Sequence, residues 1–172
     1  MGDPSAPIQI TEYSDYKCGH CGSFVFDTEP LLEEEYIETG KVYFVSRSVG
    51  GMLSGDQPLS AAEAAYCAGE QNKYWEFHDL VFNNQSLNFT NAMFNSWAKE
   101  VGADVDEFKA CMKENNALER AQQDEADARA KDVSGTPKFF ITYTVNGEER
   151  ERVLPGNYPF QEIGRASCRE RV

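Results

Sequence analysis

At 172 residues, 41% of them hydrophobic and 12% aromatic, the chain suits one domain with a real core, which excludes disorder as the default. Asp and Glu number 29 against 16 Lys and Arg, and the resulting formal charge of −13 excludes nucleic acid as a partner, since nothing would neutralise phosphates. No run reaches the ~20 apolar residues of a membrane span, and the opening MGDPSAPIQITEY lacks the basic and apolar regions of a leader, as expected of a chain whose leader is absent or trimmed. Pro7 to Tyr13 (PIQITEY) alternates and carries β-branched residues, which predicts a first strand. Ser14 or Asp15 then offers a helix cap, and CGHCGSFVFDTEPLLEEEYIETG reads as one long helix, kinked at Pro30 and stopped by Gly40. Lys41 to Val49 is a second strand, so the chain opens with a βαβ unit whose strands are parallel. GGMLSGDQP reads as a loop.

Helical spacing then recurs in LSAAEAAYCAGEQ, KYWEFHDLVFNNQ, TNAMFNSWAKEVG, DVDEFKACMKEN and ALERAQQDEADARAKDV, punctuated by Asn, Gly and Asp. Trp75, Phe77, Leu80, Val81 and Phe82 fall on one apolar face and predict core, with His78 as a packing residue. The run Glu33 to Glu35 predicts a solvated helix face. β structure returns at GTPKFFITYTV, with Asn146-Gly147 as the turn of a hairpin between strands Lys138 to Val145 and Glu148 to Leu154. YPFQEI reads as the opening of a final helix. The tail Glu162 to Val172 turns abruptly Arg-rich and patternless and reads as translated sequencing adapter, so it is set aside together with Cys168. Of five cysteines this leaves Cys18, Cys21, Cys67 and Cys111, an even number that permits two disulfides.

The stretch DYKCGHCGSF puts Cys18 and Cys21 at the start of a helix that follows a strand. Backbone N–H groups and the positive end of the helix dipole stabilise a thiolate there, which makes Cys18 the attacking residue. Cys21, about one turn further on, can close a disulfide with it but would be more buried, the place of a resolving residue. His20 adds a donor or positive partner to the thiolate, and a stabilised reduced form makes the disulfide more oxidising. A zinc half-site would need two further ligands, and Cys67 and Cys111 have no partner at metal-binding spacing. Redox exchange is therefore the favoured use of the pair, with a plain staple and a zinc module as alternatives. Cys67 and Cys111 lie on two different predicted helices, each flanked by apolar residues, and read either as buried thiols or as a bridge.

SDYKCGHC after a strand, GTP before the hairpin and AAYCAGEQNKYWEFHDLVFNNQ between them resemble a bacterial DsbA-like thiol:disulfide oxidoreductase of the thioredoxin superfamily, across residues 4–161. The resemblance implies an α/β thioredoxin fold, β-α-β then β-β-α around a central mixed sheet, with an inserted all-helical subdomain. Residues 4–57 would form the first half with the CxxC, 58–132 the helical insert, 133–161 the second half with a cis-proline loop and hairpin, and 162–172 a non-native tail. It implies that Pro137 is cis and lies against the active-site sulfurs, leaving the Thr136 backbone to pair with a substrate strand, with Gly19 and His20 also facing substrate. It gives Glu12, six residues before Cys18, the role of a buried acid that relays the proton of the resolving cysteine, with a raised pKa if buried. It favours a structural disulfide between Cys67 and Cys111, which an extracytoplasmic setting permits. The activity implied is protein dithiol-disulfide oxidation on the periplasmic or cell-surface side of the membrane, acting as a monomer on unfolded or extended cysteine-containing proteins. A quinone-linked membrane protein would reoxidise it, and no metal or organic cofactor is needed. Gly19-His20 resembles the dipeptide of disulfide isomerases, so isomerase or reductase activity is an alternative, and a peptide-binding chaperone module is another.

Overall fold

The computed structural model describes residues 1–158, which divide into two compact units. The helix expected at YPFQEI beyond Tyr158, and the tail with Cys168, lie outside the described residues.

The first unit comprises Met1–Ser14, Gly19–Arg47 and the chain from Gly135 onward. Its strands β1 (Ile8–Ser14), β2 (Val42–Ser48), β3 (Lys138–Val145) and β4 (Glu148–Pro155) form one mixed sheet in the order β2-β1-β3-β4. β1 pairs antiparallel with β3 from Ile8↔Tyr143 to Tyr13↔Lys138, and β3 pairs antiparallel with β4. Period-two alternation turns Ile8, Ile10, Glu12 and Ser14 inward on β1, so one of the four core-facing positions is an acid. Asn146 and Gly147 both take positive φ, 52° and 81°, the backbone that a two-residue hairpin turn requires and that Asn-Gly tolerates best. β4 is exposed along its length except at Leu154.

Helix α1 (Gly19–Asp27) buries Cys21, Gly22, Phe24 and Val25, a three-four spacing that faces the sheet. Phe24 meets Phe139 of β3 at 4.7 Å and Phe44 of β2 at 6.1 Å between ring centroids. Burying such a ring contributes roughly 1.5–3 kcal/mol. The single long helix expected here is three pieces: α1, α2 (Glu29–Leu32) and a π-helical turn, Glu33–Ile37. Pro30 has no N–H to give back to the preceding turn and its ring crowds that turn's carbonyl, so α1 ends before it. Glu38 N–H then bonds Glu33 C=O at 2.9 Å, five residues back, and Gly40, at φ 71°, ends the segment as expected.

The second unit, Asp15–Cys18 with Ser48–Ser134, is all helical apart from its opening turn. GGMLSGDQP is not the loop expected: Gly50–Ser54 forms a short helix, α3, and α4 (Asp56–Gly69) begins within the same stretch. The glycines there serve close packing, for a Cβ on Gly50 would fall 2.3 Å from Pro58 Cβ and 2.7 Å from Asp15 Oδ1. The five expected helices follow as α4, α5 (Tyr74–Asn83), α6 (Asn91–Glu100), α7 (Val105–Cys111) and α8 (Asn116–Ala130). Thr90 caps α6 and Asp104 caps α7 through their side-chain oxygens. Phe77, Phe94, Trp97 and Phe108 pack in tilted and edge-to-face contacts in the core of this unit. Phe77, Val81 and Phe82 are buried as the apolar spacing predicts, whereas Trp75 and Leu80 are half-buried. His78 is fully buried among the rings of Tyr16, Tyr74, Trp75 and Phe82. Among the described residues no helix is long and apolar enough to cross a membrane.

Candidate active site

The sequence leaves β1 at Ser14, makes one tight turn and enters α1 at Gly19, so Cys18 is the residue immediately before the helix. Neither Ser14 nor Asp15 caps α1, contrary to expectation. Asp15 instead folds the turn: its Oδ1 accepts the Lys17 N–H at 2.8 Å and its carbonyl accepts the Cys18 N–H at 2.9 Å, the two-residue reach that aspartate makes locally. Ser54 Oγ donates to the other carboxylate oxygen, and Asp15 is 2% exposed.

Cys18 and Cys21 both stand as thiols, Cys18 half-buried and Cys21 fully buried. Cys18 sits at the end of α1 where N–H groups without intrahelical partners stabilise negative charge, and Cys21 follows on the same helix face three residues on. Gly19 and His20 between them are exposed. One thiol open to solvent beside one that is sealed is an arrangement able to exchange a sulfur with an outside molecule and then displace it from within.

Glu12 lies on the inward face of β1 with 0% exposure, and Ser46 Oγ of β2 donates to its Oε2 at 3.5 Å. The Thr136-Pro137 peptide is cis. Pro137 is buried, and its carbonyl accepts the Gly156 N–H at 2.7 Å. The Tyr13↔Lys138 pair puts Pro137 one step beyond the ladder, at the end of β1 from which the chain runs to Cys18. Thr136 just before it is half-buried. The register thus brings Glu12 and Pro137 to one end of the sheet. Cys67 and Cys111 are elsewhere in sequence and chemistry: they form a disulfide between α4 and the last residue of α7, with Cα atoms 5.7 Å apart.

Two residues of the site carry no mark in the sequence, and a third has a role other than the one the sequence predicts. Gln85, two residues past α5, donates from Nε2 to the carbonyls of Cys18 at 3.1 Å and Tyr16 at 3.3 Å. Lys17 sends its ammonium to the carbonyls of Gln85, at 3.0 Å, and of Leu87, and lies 3.8 Å from the centroid of the Phe89 ring. Burial lowers the pKa of Lys17, with the Asp15 charge opposing that shift. Asp15, expected from the sequence as a helix cap, completes the group by folding the turn.

A family model described as thioredoxin matches residues 1–152. A probable disulfide bond formation protein D of Bacillus cereus is 30% identical over 149 residues, 82% of this chain and 68% of that protein. The solved structure of Wolbachia pipientis alpha-DsbA1 superposes with a TM-score of 0.83 at 26% identity, covering 98% of this chain and 88% of that one. The Na(+)/H(+) antiporter NhaA 3 of Salinispora tropica is 33% identical over 142 residues, and there the chain spans only 21% of the relative's length. The chain belongs to the thioredoxin superfamily, in its DsbA-like branch with a helical insert.

Proposed function

We propose that the chain is a protein dithiol-disulfide oxidoreductase that introduces or exchanges disulfides in extracytoplasmic proteins through Cys18 and Cys21. The observation that carries this reading is the split in exposure across the first turn of α1, Cys18 reachable and Cys21 sealed. A substrate thiolate attacks Cys18 Sγ of the Cys18–Cys21 disulfide, a substrate–Cys18 bond forms, and Cys21 leaves as thiolate and takes up a proton. A second substrate thiolate then attacks the substrate sulfur of the mixed disulfide, and Cys18 leaves as the helix-stabilised thiolate. The two substrate thiolates lose two electrons in forming their disulfide, and the protein holds those electrons as a Cys21 thiol and a Cys18 thiolate, the Cys21 proton being the only one it takes up. Glu12, buried on the strand leading into the turn, is the acid that supplies the Cys21 proton. Thr136 and the cis Pro137 offer backbone at the strand end for an extended substrate, and Gly19 and His20 lie exposed to face it. The cysteine pair is itself the redox centre, so the reaction needs no metal or organic cofactor. Unfolded or extended cysteine-containing proteins on the periplasmic or cell-surface side are the substrates, and a quinone-linked membrane protein restores the disulfide of this monomer.

Oxidative refolding of a reduced protein by the wild type and by Cys18→Ser tests the reading. Loss of activity in the variant is expected, and an undiminished rate would sink it. The Gly19-His20 dipeptide, which resembles that of disulfide isomerases, motivates a second reading as isomerase or reductase, decided by equilibrating the pair with glutathione: a potential near thioredoxin's selects reduction.

A further inference from the structure

We propose that Gln85 is the positioning residue of Cys18, its side-chain amide clamping the turn Asp15–Cys18 in the conformation from which Cys18 attacks. The proposal rests on Cys18 being the attacking cysteine. An amide NH2 has two protons, and here each has a carbonyl in reach, Cys18 C=O at 3.1 Å and Tyr16 C=O at 3.3 Å. The segment that carries the amide is itself fixed, since the N–H groups of Asn84 and Gln85 bond the carbonyls of Val81 and Phe82 at the end of α5. The tie also runs in reverse, for Lys17 Nζ bonds the Gln85 and Leu87 carbonyls and covers Phe89. Each segment therefore lends a side chain to the other's backbone, and Tyr16 between them is locked by packing on Phe82 and His78.

The interlock has a chemical consequence. Holding the Tyr16 and Cys18 carbonyls fixes the backbone that sets Cys18 at the start of α1, where N–H groups without intrahelical partners stabilise its thiolate. The Lys17 ammonium is committed to carbonyls of residues 85 and 87, so Gln85 and the start of α1 act on Cys18 while Lys17 acts as a tie.

The test is the pH profile of Cys18 alkylation by iodoacetamide, mapped by mass spectrometry, in wild type, Gln85→Met and Lys17→Met. Methionine keeps the volume of glutamine and removes both donors. In Gln85→Met the profile is expected to move to higher pH, with the rate at pH 6 falling about three- to tenfold, the scale of one hydrogen bond to a charged group's surroundings. Lys17→Met is expected to move it in the same direction by less. A profile in Gln85→Met that matches wild type overturns the proposal. Should Gln85→Met fail to fold, an unchanged Lys17→Met profile overturns it equally. Alkylation reads Cys18 whether or not the protein turns over substrate, so a wild type inert in refolding would reject the proposed function and leave the clamp standing.

Discussion

The two cysteine pairs of this chain are one residue type put to opposite uses. Cys18 and Cys21 stand one helical turn apart as thiols, the first reachable from solvent, while Cys67 and Cys111 are buried and bridged across 44 residues. A bond between helix neighbours closes almost no loop, so it adds little to stability and can be made and broken as chemistry. A bond across a long loop removes much of the freedom of the unfolded chain, about 4 kcal/mol for this separation on the chain-entropy account. Sequence separation and position at a helix start, and not cysteine itself, set which pair reacts.

The comparison breaks outright if Cys18→Ser retains disulfide exchange, where complete loss is expected in a mixed-disulfide trapping assay. Cys67→Ser/Cys111→Ser should lower unfolding free energy in urea by up to about 4 kcal/mol and leave the Cys18 alkylation rate unchanged; a changed rate would mean the pairs are not separate. Glu12→Gln should slow release of a glutathione mixed disulfide at Cys18 about a hundredfold, the low end of general acid-base catalysis, with the pH dependence of that step flattened. Gly50→Ala should cost about 1–3 kcal/mol and slow Cys18 as well, because the added methyl meets Pro58 and the carboxylate of Asp15 that folds the turn. The smallest effect concerns α4, the helix that carries Cys67. Burial raises the pKa of Glu63. Its folded value lies above its unfolded one, so its contribution is fully present below the unfolded value and is lost as pH rises through the folded one. Glu63→Gln should therefore make thermal stability slightly higher at neutral pH and unchanged near pH 3.

The fold was legible where local chemistry decides it. The Asn146-Gly147 hairpin, the five-helix run and the strand-to-helix entry at Cys18 all follow from turn residues and periodicity. Family resemblance, and not spacing, supplied the cis Thr136-Pro137 bond and the Cys67–Cys111 pairing. What stayed hidden depends on tertiary neighbours. Gly50 and Gly51 read as loop because their scarcity of side chain suits a loop, yet Pro58, Asp15 and Glu125 need that same space against a helix. The π-turn in EEEYI has no residue signature, and Gln85 in NNQ is one polar residue among several until the fold brings it to Cys18.

β4 carries Glu148, Glu149, Arg150, Glu151 and Arg152 in succession, all exposed, on an outer strand of the described sheet. Were the chain to act on unfolded proteins as proposed, it would meet many backbones in search of a strand to join, and an unguarded sheet margin would nucleate aggregates from them. Five consecutive charged residues, Glu148 to Arg152, ahead of the exposed Val153 make such annealing unfavourable, because an added strand would have to desolvate or oppose those charges. The hairpin thereby works as a fender, and under the proposed function an extended substrate is left to pair at Thr136 and Pro137.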